Sequence, residues 1–386
     1  MRPRLQDGQE GLCPMWCSGY ADRAVSILQD LVAIPSHETE KAVALYLGRR
    51  LRRAGFDVVL TEASAHRPNL VAHLRSDSPC PSVMLQAHMD TVPPALPVES
   101  PRVADGKLFA RGACDAGGAI AAMIAAVECF AEDPPPTPLN LFFVGNVAEE
   151  TGSLGSRALI ASGFRVGAGI VGEPTDNTIV LAHKGLVWME VKVRHAPSVA
   201  AAANPALVLM RLIEVLEREL PDEMTGGRHP VLGGRTLNLG VVRRRDFEEN
   251  LCAFHVDLRI LPGDNLEELV QRCRRKIEDA AEAFETFRVA VEAYRSYPSL
   301  DVPKEIPLVR ALARAVAAVT GEFHFGSVPY SSDGGVYGEA RIPVVLFGPG
   351  SVAQAHAADE YVGLDDVRRA AAIYYRFLVE FARRPA

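Results

Sequence analysis

The chain has 386 residues, of which 48% are hydrophobic and 23% are charged, and its formal net charge is −7. A chain of this length and composition can bury a large core and is expected to form two domains. The negative charge does not favour binding to nucleic acid or to an anionic membrane, and we predict neither a signal peptide nor a membrane-spanning helix.

The N-terminal residues are expected to lie outside the folded domains. Cys13 and Cys17 occur there in a segment that contains Gly and Pro, and we predict that residues 1–19 form a disordered extension. The alternatives are a start codon that has been placed too early and a metal site formed by these two cysteines. The seven cysteines of the chain are scattered without paired spacing. This pattern fits reduced thiols in the cytoplasm better than a disulfide framework.

The first part of the chain has an α/β pattern. Apolar residues recur at helical spacing over residues 22–32 and 38–54, and short strands then alternate with helices up to about His183. From Gly185 the order changes to strand, helix, two strands, helix and strand, over residues 186–193, 203–220, 236–242, 252–261, 266–284 and 287–294. This βαββαβ order is typical of a ferredoxin-like domain.

The ferredoxin-like domain is predicted to be an insertion. The helical pattern of the first part resumes at residues 308–319, so the first domain continues after the second has ended. We therefore divide the chain into a catalytic domain, an inserted domain and the rest of the catalytic domain, at residues 20–184, 185–295 and 296–386.

Five short segments carry the His, Asp and Glu residues that suggest chemistry, each at the end of a predicted strand or at the entry to a loop. They are SVMLQAHMDTVP (82–93), ARGACDAGGAIAAMIAA (110–126), LNLFFVGNVAEETGSLGS (139–156), GIVGEPT (169–175) and VVLFGPGSVAQAHAADEYV (344–362). Together they supply two imidazoles and several carboxylates. Zinc takes His nitrogen and carboxylate oxygen and keeps a position open for water in catalytic sites, so the segments suit a pair of zinc ions.

Three of these segments have a simpler interpretation when they are taken alone. An isolated His88-x-Asp90 is more often a polar loop opening than a metal site, and Asp115 before an apolar helix can be an N-cap. Glu149 and Glu150 can be solvated loop residues, although they end an apolar strand. Adjacent side chains diverge, so one of these two carboxylates can bind metal while the other handles a proton.

Taken together and in this order, the segments resemble those of the metallohydrolase family of acetylornithine deacetylase, succinyl-diaminopimelate desuccinylase, aminoacylase and the glutamate carboxypeptidases. The resemblance runs from about Tyr20 to the end of the chain. It implies an α/β catalytic domain with a central mixed sheet, and an inserted ferredoxin-like α+β domain that acts as a lid and dimerisation domain. It also implies two Zn²⁺ ions, which Co²⁺ or Mn²⁺ can replace at the same ligands.

The resemblance also implies a role for each site residue. Asp115 bridges both metals, His88 and Glu173 complete the first site, and Glu150 and His356 complete the second. Glu149 is the general base that takes a proton from the bridging water. Asp90 fixes the tautomer of the His88 imidazole, and substrate contacts come from Arg259, which binds a carboxylate in a bidentate manner, and from Gly348 and Gly350.

The chain departs from the family pattern at several positions. Gly117 replaces a lysine, and Ala148 replaces an aspartate. The family's lid histidine, which stabilises the oxyanion, corresponds to Val199, and His195 could substitute only if the loop were rebuilt. Residues 243–246 (RRRD) replace a glycine pair and an asparagine, and they form either a solvated rim or a site for a more anionic substrate.

The predicted function is therefore a zinc-dependent amide hydrolase that removes an N-acyl group from an amino acid or cleaves a C-terminal residue from a small peptide. The predicted partners are this small substrate and a second copy of the chain, bound through the lid. One alternative is a relative that acts on an unusual amide, by trimming or condensation, with a remodelled lid. The other is a metal-binding protein with little hydrolase activity, which Glu149 argues against and Val199 argues for.

Overall fold

A computed structural model describes residues 19–93, 100–195, 205–224, 226–240, 244–246, 251–284 and 287–383. The predicted N-terminal extension lies outside these residues except for Gly19, and so do Val199 and Arg243. The α-helices of the described part are α1 (Gly19–Val32), α2 (Lys41–Arg53), α3 (Gly118–Glu132), α4 (Leu154–Ala161), α5 (Pro205–Met224), α6 (Leu266–Ala281), α7 (Pro307–Thr320), α8 (Asp333–Glu339) and α9 (Leu364–Ala382).

The strands are mostly short. They are β1 (Asp57–Ser64), β2 (Arg67–Leu74), β3 (Ser82–His88), β4 (Arg102–Ala104), β5 (Lys107–Phe109), β6 (Asn140–Asn146), β7 (Ala168–Val171), β8 (Ile179–His183), β9 (Gly185–His195), β10 (Arg228–His229), β11 (Gly233–Gly234), β12 (Thr236–Leu239), β13 (Arg244–Asp246), β14 (Leu251–Ile260), β15 (Phe287–Tyr297), β16 (Leu300–Asp301), β17 (Phe325–Val328), β18 (Val344–Leu346) and β19 (Tyr361–Gly363). A π-helical turn, Ala113–Gly117, and a 3₁₀ turn, Val352–Gln354, also occur.

The chain divides into two compact units. The first comprises the chain up to Ile179, Lys304–Phe325 and the chain from Ile342, and the second comprises Val180–Pro303 and Gly326–Arg341. The second unit is thus made of two segments that interrupt the first. The domain boundaries that we predicted at residues 185 and 295 stay a prediction.

The first unit contains a mixed sheet in the order β1-β2-β6-β3-β7-β18. Antiparallel pairing joins β1 to β2 and β2 to β6, whereas β6, β3, β7 and β18 are parallel. The residues of β7 and β18 are all buried, as is typical of parallel strands that are covered on both faces. The predicted α/β fold with a central mixed sheet is confirmed. Because four neighbouring strands are parallel, their carboxyl ends lie along one edge, which is where α/β sheets bind ligands.

The most apolar helix of the first unit is α3. A stretch that includes it, Ala113–Glu132, is the one described helix long and apolar enough to cross a membrane by length and composition, and the sequence analysis did not single it out. About nine-tenths of an 18-residue window within this stretch is buried, and α3 packs against α1 and α9. A helix that is apolar on all sides is expected in the core of a large protein, and this is the position of α3.

The second unit contains the predicted βαββαβ arrangement, formed by β9, α5, β12, β14, α6 and β15. The strands are antiparallel in the order β12-β14-β9-β15. Alternate residues of β9, from Val187 to Val193, are buried with α5 and α6, whereas Trp188 and Lys192 lie on the other face. This two-residue period places the two helices on one face of the sheet. The order of the elements, the order of the antiparallel strands and the two helices on one face are those of a ferredoxin-like topology.

A buried imidazole connects two segments of the second unit. The Nδ1 of His183 lies 2.9 Å from the carbonyl oxygen of Lys184, and its Nε2 lies 3.2 Å from the hydroxyl of Ser332. A neutral imidazole satisfies both contacts when Nδ1–H donates to the carbonyl and Nε2 accepts from the hydroxyl. Burial, opposed by the carbonyl contact, lowers the pKa of His183 to about 4.

We expect His183 to make the protein less stable in mild acid. Below the ordinary pKa of 6.5, the unfolded chain binds a proton that the folded chain takes up only near pH 4. The free energy of unfolding should therefore fall over this interval, with a contribution from His183 of up to about 1.4 kcal/mol per pH unit. Urea unfolding of metal-free wild type and His183→Gln between pH 4 and pH 7 measures this contribution as the difference in slope. Equal slopes would contradict the prediction.

Candidate metal centre

The end of β3 places His88 beside two loops that carry predicted ligands. His88 pairs in register with Asn146, the last residue of β6, and Gln86 pairs with Val171, the last residue of β7. The loop that follows β6 contains Glu149 and Glu150. Because these strands are parallel, all three chain segments leave the sheet at the same edge.

Asp115 lies between the two predicted histidine ligands. Its Oδ1 is 3.0 Å from the Nε2 of His88, and its Oδ2 is 3.5 Å from the Nε2 of His356. The helix α3 begins only at Gly118, and its N-cap is Gly117 without a side-chain hydrogen bond. Asp115 is therefore not an N-cap of α3, and the simpler interpretation of this residue is wrong. A carboxylate that presents one oxygen to each imidazole has the geometry expected of a bridging ligand.

Glu150 completes a compact group of oxygen and nitrogen atoms that could bind a metal ion. The Nε2 of His356 lies 2.8 Å from its Oε1. Donor atoms of His88, Asp115 and Glu150 all lie within 4.8 Å of one another. Four of the five predicted ligands are thus joined by direct contacts, although they come from four separate segments of the chain.

The fifth predicted ligand is Glu173. It is buried and lies two residues beyond the end of β7, at the same edge of the sheet as His88. Glu149, the predicted general base, is also buried. The structure places both residues near the loops of the site, and their chemical roles stay predictions.

The protonation of the cluster shows how well it suits a cation. Burial opposes ionisation of Asp115, but hydrogen bonds from His356 and His88 outweigh it and lower the pKa of the carboxyl. The contacts with Asp115 and Glu150 raise the pKa of His356 to about 10, and the pKa of His88 is raised although burial opposes this. The carboxylates therefore stabilise positive charge between them. A set of imidazole nitrogens and carboxylate oxygens with this preference fits divalent metal ions, whose binding would displace the protons.

Comparison with known proteins agrees with this geometry. The sequence model described as peptidase family M20/M25/M40 matches residues 84–380. The chain belongs to this peptidase family. It is 30% identical to an acetylornithine deacetylase of Myxococcus xanthus over 380 residues. The aligned region covers 92% of this chain and 96% of that relative. It is 29% identical to a probable carboxypeptidase of Aspergillus clavatus, over 94% of this chain and 89% of that one.

Solved structures share the fold. The di-peptidase Dug1p of Saccharomyces cerevisiae superimposes with a TM-score of 0.80 at 14% identity, over 95% of this chain and 98% of that one. The YXEP protein of Bacillus subtilis, described as a dinuclear metal binding peptidase, superimposes with a TM-score of 0.67 at 15% identity, over 94% and 97%. Membership of the M20/M25/M40 family makes the protein a metal-dependent amide or peptide hydrolase. The predicted family, enzyme class and broad function are confirmed.

Asp90 contacts both His88 and the backbone that carries Glu149 and Glu150. The Nδ1 of His88 lies 3.0 Å from the backbone oxygen of Asp90 and 3.6 Å from its carboxylate. The carboxylate instead accepts hydrogen bonds from the backbone N–H groups of Glu149, at 3.0 Å, and Glu150, at 3.1 Å. The role of the Asp90 carboxylate in fixing the tautomer of the His88 imidazole stays a prediction. In this member of the M20/M25/M40 family, one residue orients His88 and holds the Glu149-Glu150 backbone.

A second carboxylate, Glu40, binds the same loop, and no sequence pattern had indicated this role. Its buried side chain accepts a hydrogen bond from the backbone N–H of Ala148 at 3.1 Å and is paired with Arg67. Ala148 has a positive φ of 56°, which is uncommon for a residue with a side chain. The contact fixes the backbone one residue before Glu149. A Glu at the start of a helix gives no local signal of such a role.

The predicted substrate-binding residues have structural partners. In the second unit, Arg259 donates from Nε and Nη2 to both oxygens of Asp257, at 2.9 and 3.1 Å. In the first unit, the carbonyl oxygens of Gly348 and Gly350 accept from Asn177 N–H at 2.8 Å and Asp176 N–H at 2.7 Å. These contacts orient the three residues, and their role in substrate binding stays a prediction.

Both glycines are also required by close packing. A Cβ at Gly348 would lie 2.6 Å from the backbone oxygen of Glu173. Gly350 has a φ of +83°, and a Cβ there would lie 2.6 Å from the Sγ of Cys114. The turn that leads towards His356 therefore packs directly on the segments that carry Glu173 and Asp115.

Two departures from the family pattern fall at the limit of the described residues. His195 is the last residue of β9, where it pairs with Phe287. The backbone of residues 244–246 forms β13, which pairs with β14. Val199 falls between these segments in the sequence and outside the described residues, and its role stays a prediction.

We expect Asp90→Asn to impair the site without unfolding the protein. The amide keeps one acceptor oxygen but directs an NH₂ group at the second backbone N–H, so the Glu149-Glu150 loop loses one anchor. Loss of a residue that supports metal ligands typically costs about 10- to 100-fold in activity or metal affinity. Steady-state kinetics and zinc titration of the variant measure this cost, and circular dichroism checks the fold. Wild-type kinetics and affinity would exclude the role assigned to this carboxylate.

Proposed function

We propose that the protein is a dizinc hydrolase that removes an N-acyl group from an amino acid. The observation that carries this proposal is the Asp115 carboxylate, which presents one oxygen to His88 and the other to His356. A second carboxylate, Glu150, contacts His356. The similarity of nearly the whole chain to an acetylornithine deacetylase supports the choice of an acylated amino acid as substrate.

Two Zn²⁺ ions would be held by His88, Asp115, Glu150, Glu173 and His356. Bound there, they would polarise the scissile carbonyl and lower the pKa of the attacking water. Co²⁺ and Mn²⁺ accept the same nitrogen and oxygen donors. Metal analysis of the purified protein, and activity after reconstitution with each ion, distinguish the three metals.

The remaining chemistry comes from the chain. Glu149 takes the proton from the attacking water and passes it to the leaving amine. The hydrogen bond from its backbone N–H to Asp90 and the neighbouring bond from Ala148 N–H to Glu40 restrict the motion of this base. Arg259, already oriented by Asp257, binds the carboxylate of the substrate through its remaining donor capacity.

A carboxypeptidase is the second candidate function. The 29% identity to a probable carboxypeptidase of Aspergillus clavatus favours it. Both substrates present a free carboxylate beside the amide, so the same residues serve either reaction. A panel of N-acetyl and N-succinyl amino acids beside unblocked dipeptides separates the two activities. Turnover of neither class by zinc-loaded protein would move the search to unusual amides.

Glu149→Gln should abolish most of the turnover while leaving the metals in place. Loss of a general base typically lowers kcat by about 10²- to 10⁴-fold. Glu149 is not a predicted ligand, so the zinc content should stay at that of the wild type. The matched control is Glu62→Gln, which neutralises an exposed carboxylate on β1. A variant that keeps its kcat, or one that loses its zinc, would contradict the assigned role.

We also propose that two copies associate through the second unit. Leu207 and Met210, one helical turn apart on α5, are 59% and 63% exposed. The helix packs beside β12, the strand at one end of the sheet order. Exposed apolar side chains next to a sheet edge favour burial against a second copy.

The protein is further proposed to work in the cytoplasm, since the described cysteines are all free thiols.

The double variant Leu207→Glu/Met210→Glu should be monomeric where the wild type is dimeric. Two carboxylates on this face would be buried without partners in the dimer, which is strongly unfavourable. Light scattering coupled to size-exclusion chromatography measures the mass of each. Val59→Glu is the matched control, because Val59 is also 59% exposed but lies on β1 of the first unit. A monomeric wild type, or a dimeric double variant, would exclude this interface.

A further inference from the structure

We propose that Glu360 is a positioning residue that couples the loops of Asp115 and His356 and thereby sets the metal affinity of the site. Glu360 is not a predicted metal ligand, and the sequence analysis gave it no role. The inference rests on the proposed dinuclear metal centre. It adds a residue that contacts the backbone of the ligand loops.

Four donors converge on the buried Glu360 carboxylate. Its Oε1 accepts from the backbone N–H groups of Cys114, at 2.9 Å, and Asp115, at 3.0 Å. Its Oε2 accepts from the backbone N–H of Gly112, at 2.9 Å, and from Nη1 of Arg111, at 2.7 Å. Three of the four donors are backbone groups of the loop that carries Asp115. The side chain therefore holds the conformation of that loop.

The position of Glu360 in the chain connects this loop to the other imidazole. Glu360 follows His356 by four residues and directly precedes β19, which pairs with β5. The backbone oxygen of Glu360 also accepts from Ala110 N–H at 3.0 Å. Backbone and side chain together join the segment of His356 to the segment of Asp115. The 3.5 Å distance between the Oδ2 of Asp115 and the Nε2 of His356 depends on this junction.

A carboxylate is the group that these contacts require. Backbone N–H groups that are buried without an acceptor cost free energy, and an anion with two oxygens can accept from all of them through charge-assisted hydrogen bonds. A glutamine has the same size but replaces one acceptor with a donor. Either Gly112 or the Cys114-Asp115 pair would then face an NH₂ group. The loop would keep its chain connectivity but lose its fixed geometry.

A purely structural role is the competing explanation, and the chain contains a control for it. Glu128 on α3 is a similarly buried carboxylate of the first unit. Its contacts are with Arg23 and Arg50 on α1 and α2, away from the ligand loops. Neutralising Glu128 should therefore cost stability as neutralising Glu360 does. It should not change metal binding.

The test compares zinc binding by wild type, Glu360→Gln and Glu128→Gln. Each metal-free protein is titrated with zinc in competition with a chromophoric chelator, and thermal unfolding of the metal-free proteins is recorded in parallel. We expect both variants to unfold at lower temperature than the wild type. Only Glu360→Gln should bind zinc about 10- to 100-fold more weakly. Its kcat at low zinc should recover in part when excess zinc is added, with little change in KM.

Two further variants keep the test decisive if Glu360→Gln does not fold. Glu360→Asp retains both oxygens on a shorter side chain and should weaken zinc binding by a smaller factor. Arg111→Met removes only the guanidinium and leaves the three backbone contacts, so its zinc affinity should stay closest to that of the wild type. Wild-type affinity in both Glu360 variants, or an equal loss of affinity in Glu128→Gln, would overturn the inference. A wild type that binds no zinc would instead overturn the proposed function itself.

Discussion

The site depends on one largely buried carboxylate that two imidazoles share. Asp115 lies between His88 and His356, and its pKa is lowered because both rings donate to it. A buried anion is unfavourable unless positive charge or hydrogen-bond donors surround it. The cluster therefore needs cations, whether protons on the imidazoles or metal ions between the ligands. The parallel strands β3, β6 and β7 meet this need by ending at a common edge.

The loops beyond that edge have backbone N–H groups that no strand satisfies. Three buried carboxylates accept from them: Asp90 binds residues 149 and 150, Glu40 binds Ala148, and Glu360 binds residues 112, 114 and 115. Buried backbone donors are almost always paired, and here the acceptors are charged and come from distant segments. The same contacts that satisfy the backbone also orient the side chains of the site. Local folding and ligand geometry are thus achieved by the same hydrogen bonds.

The sequence predicts those features that depend on local pattern. The apolar run before His88 indicates the end of a strand. The strands β9 and β14 are predictable because apolar and polar residues alternate along each of them, and this alternation can be seen within a single segment. The roles of Glu40 and Glu360 are not visible in this way, since Glu40 and Ala148 are 108 residues apart and Glu360 and Asp115 are 245 apart. The short helix α8 was also missed, because its DGGVYGE sequence is rich in glycine, which disfavours helices. The pairing of Arg259 with Asp257 was predictable, since residues two apart on a strand share a face.

The absence of a lysine at position 117 has a physical reason in this chain. A Cβ there would collide with the carbonyl oxygen of Gly112, which accepts a hydrogen bond from Gly117 N–H at 2.9 Å. The loop between these glycines is closed on itself, so a longer side chain would have to reopen it. The lysine that the resemblance implies beside Asp115 is therefore missing, and at the other end of the loop Arg111 donates to Glu360. The closed loop and its contacts with Glu360 thus fix the backbone around Asp115 without a charged side chain at position 117.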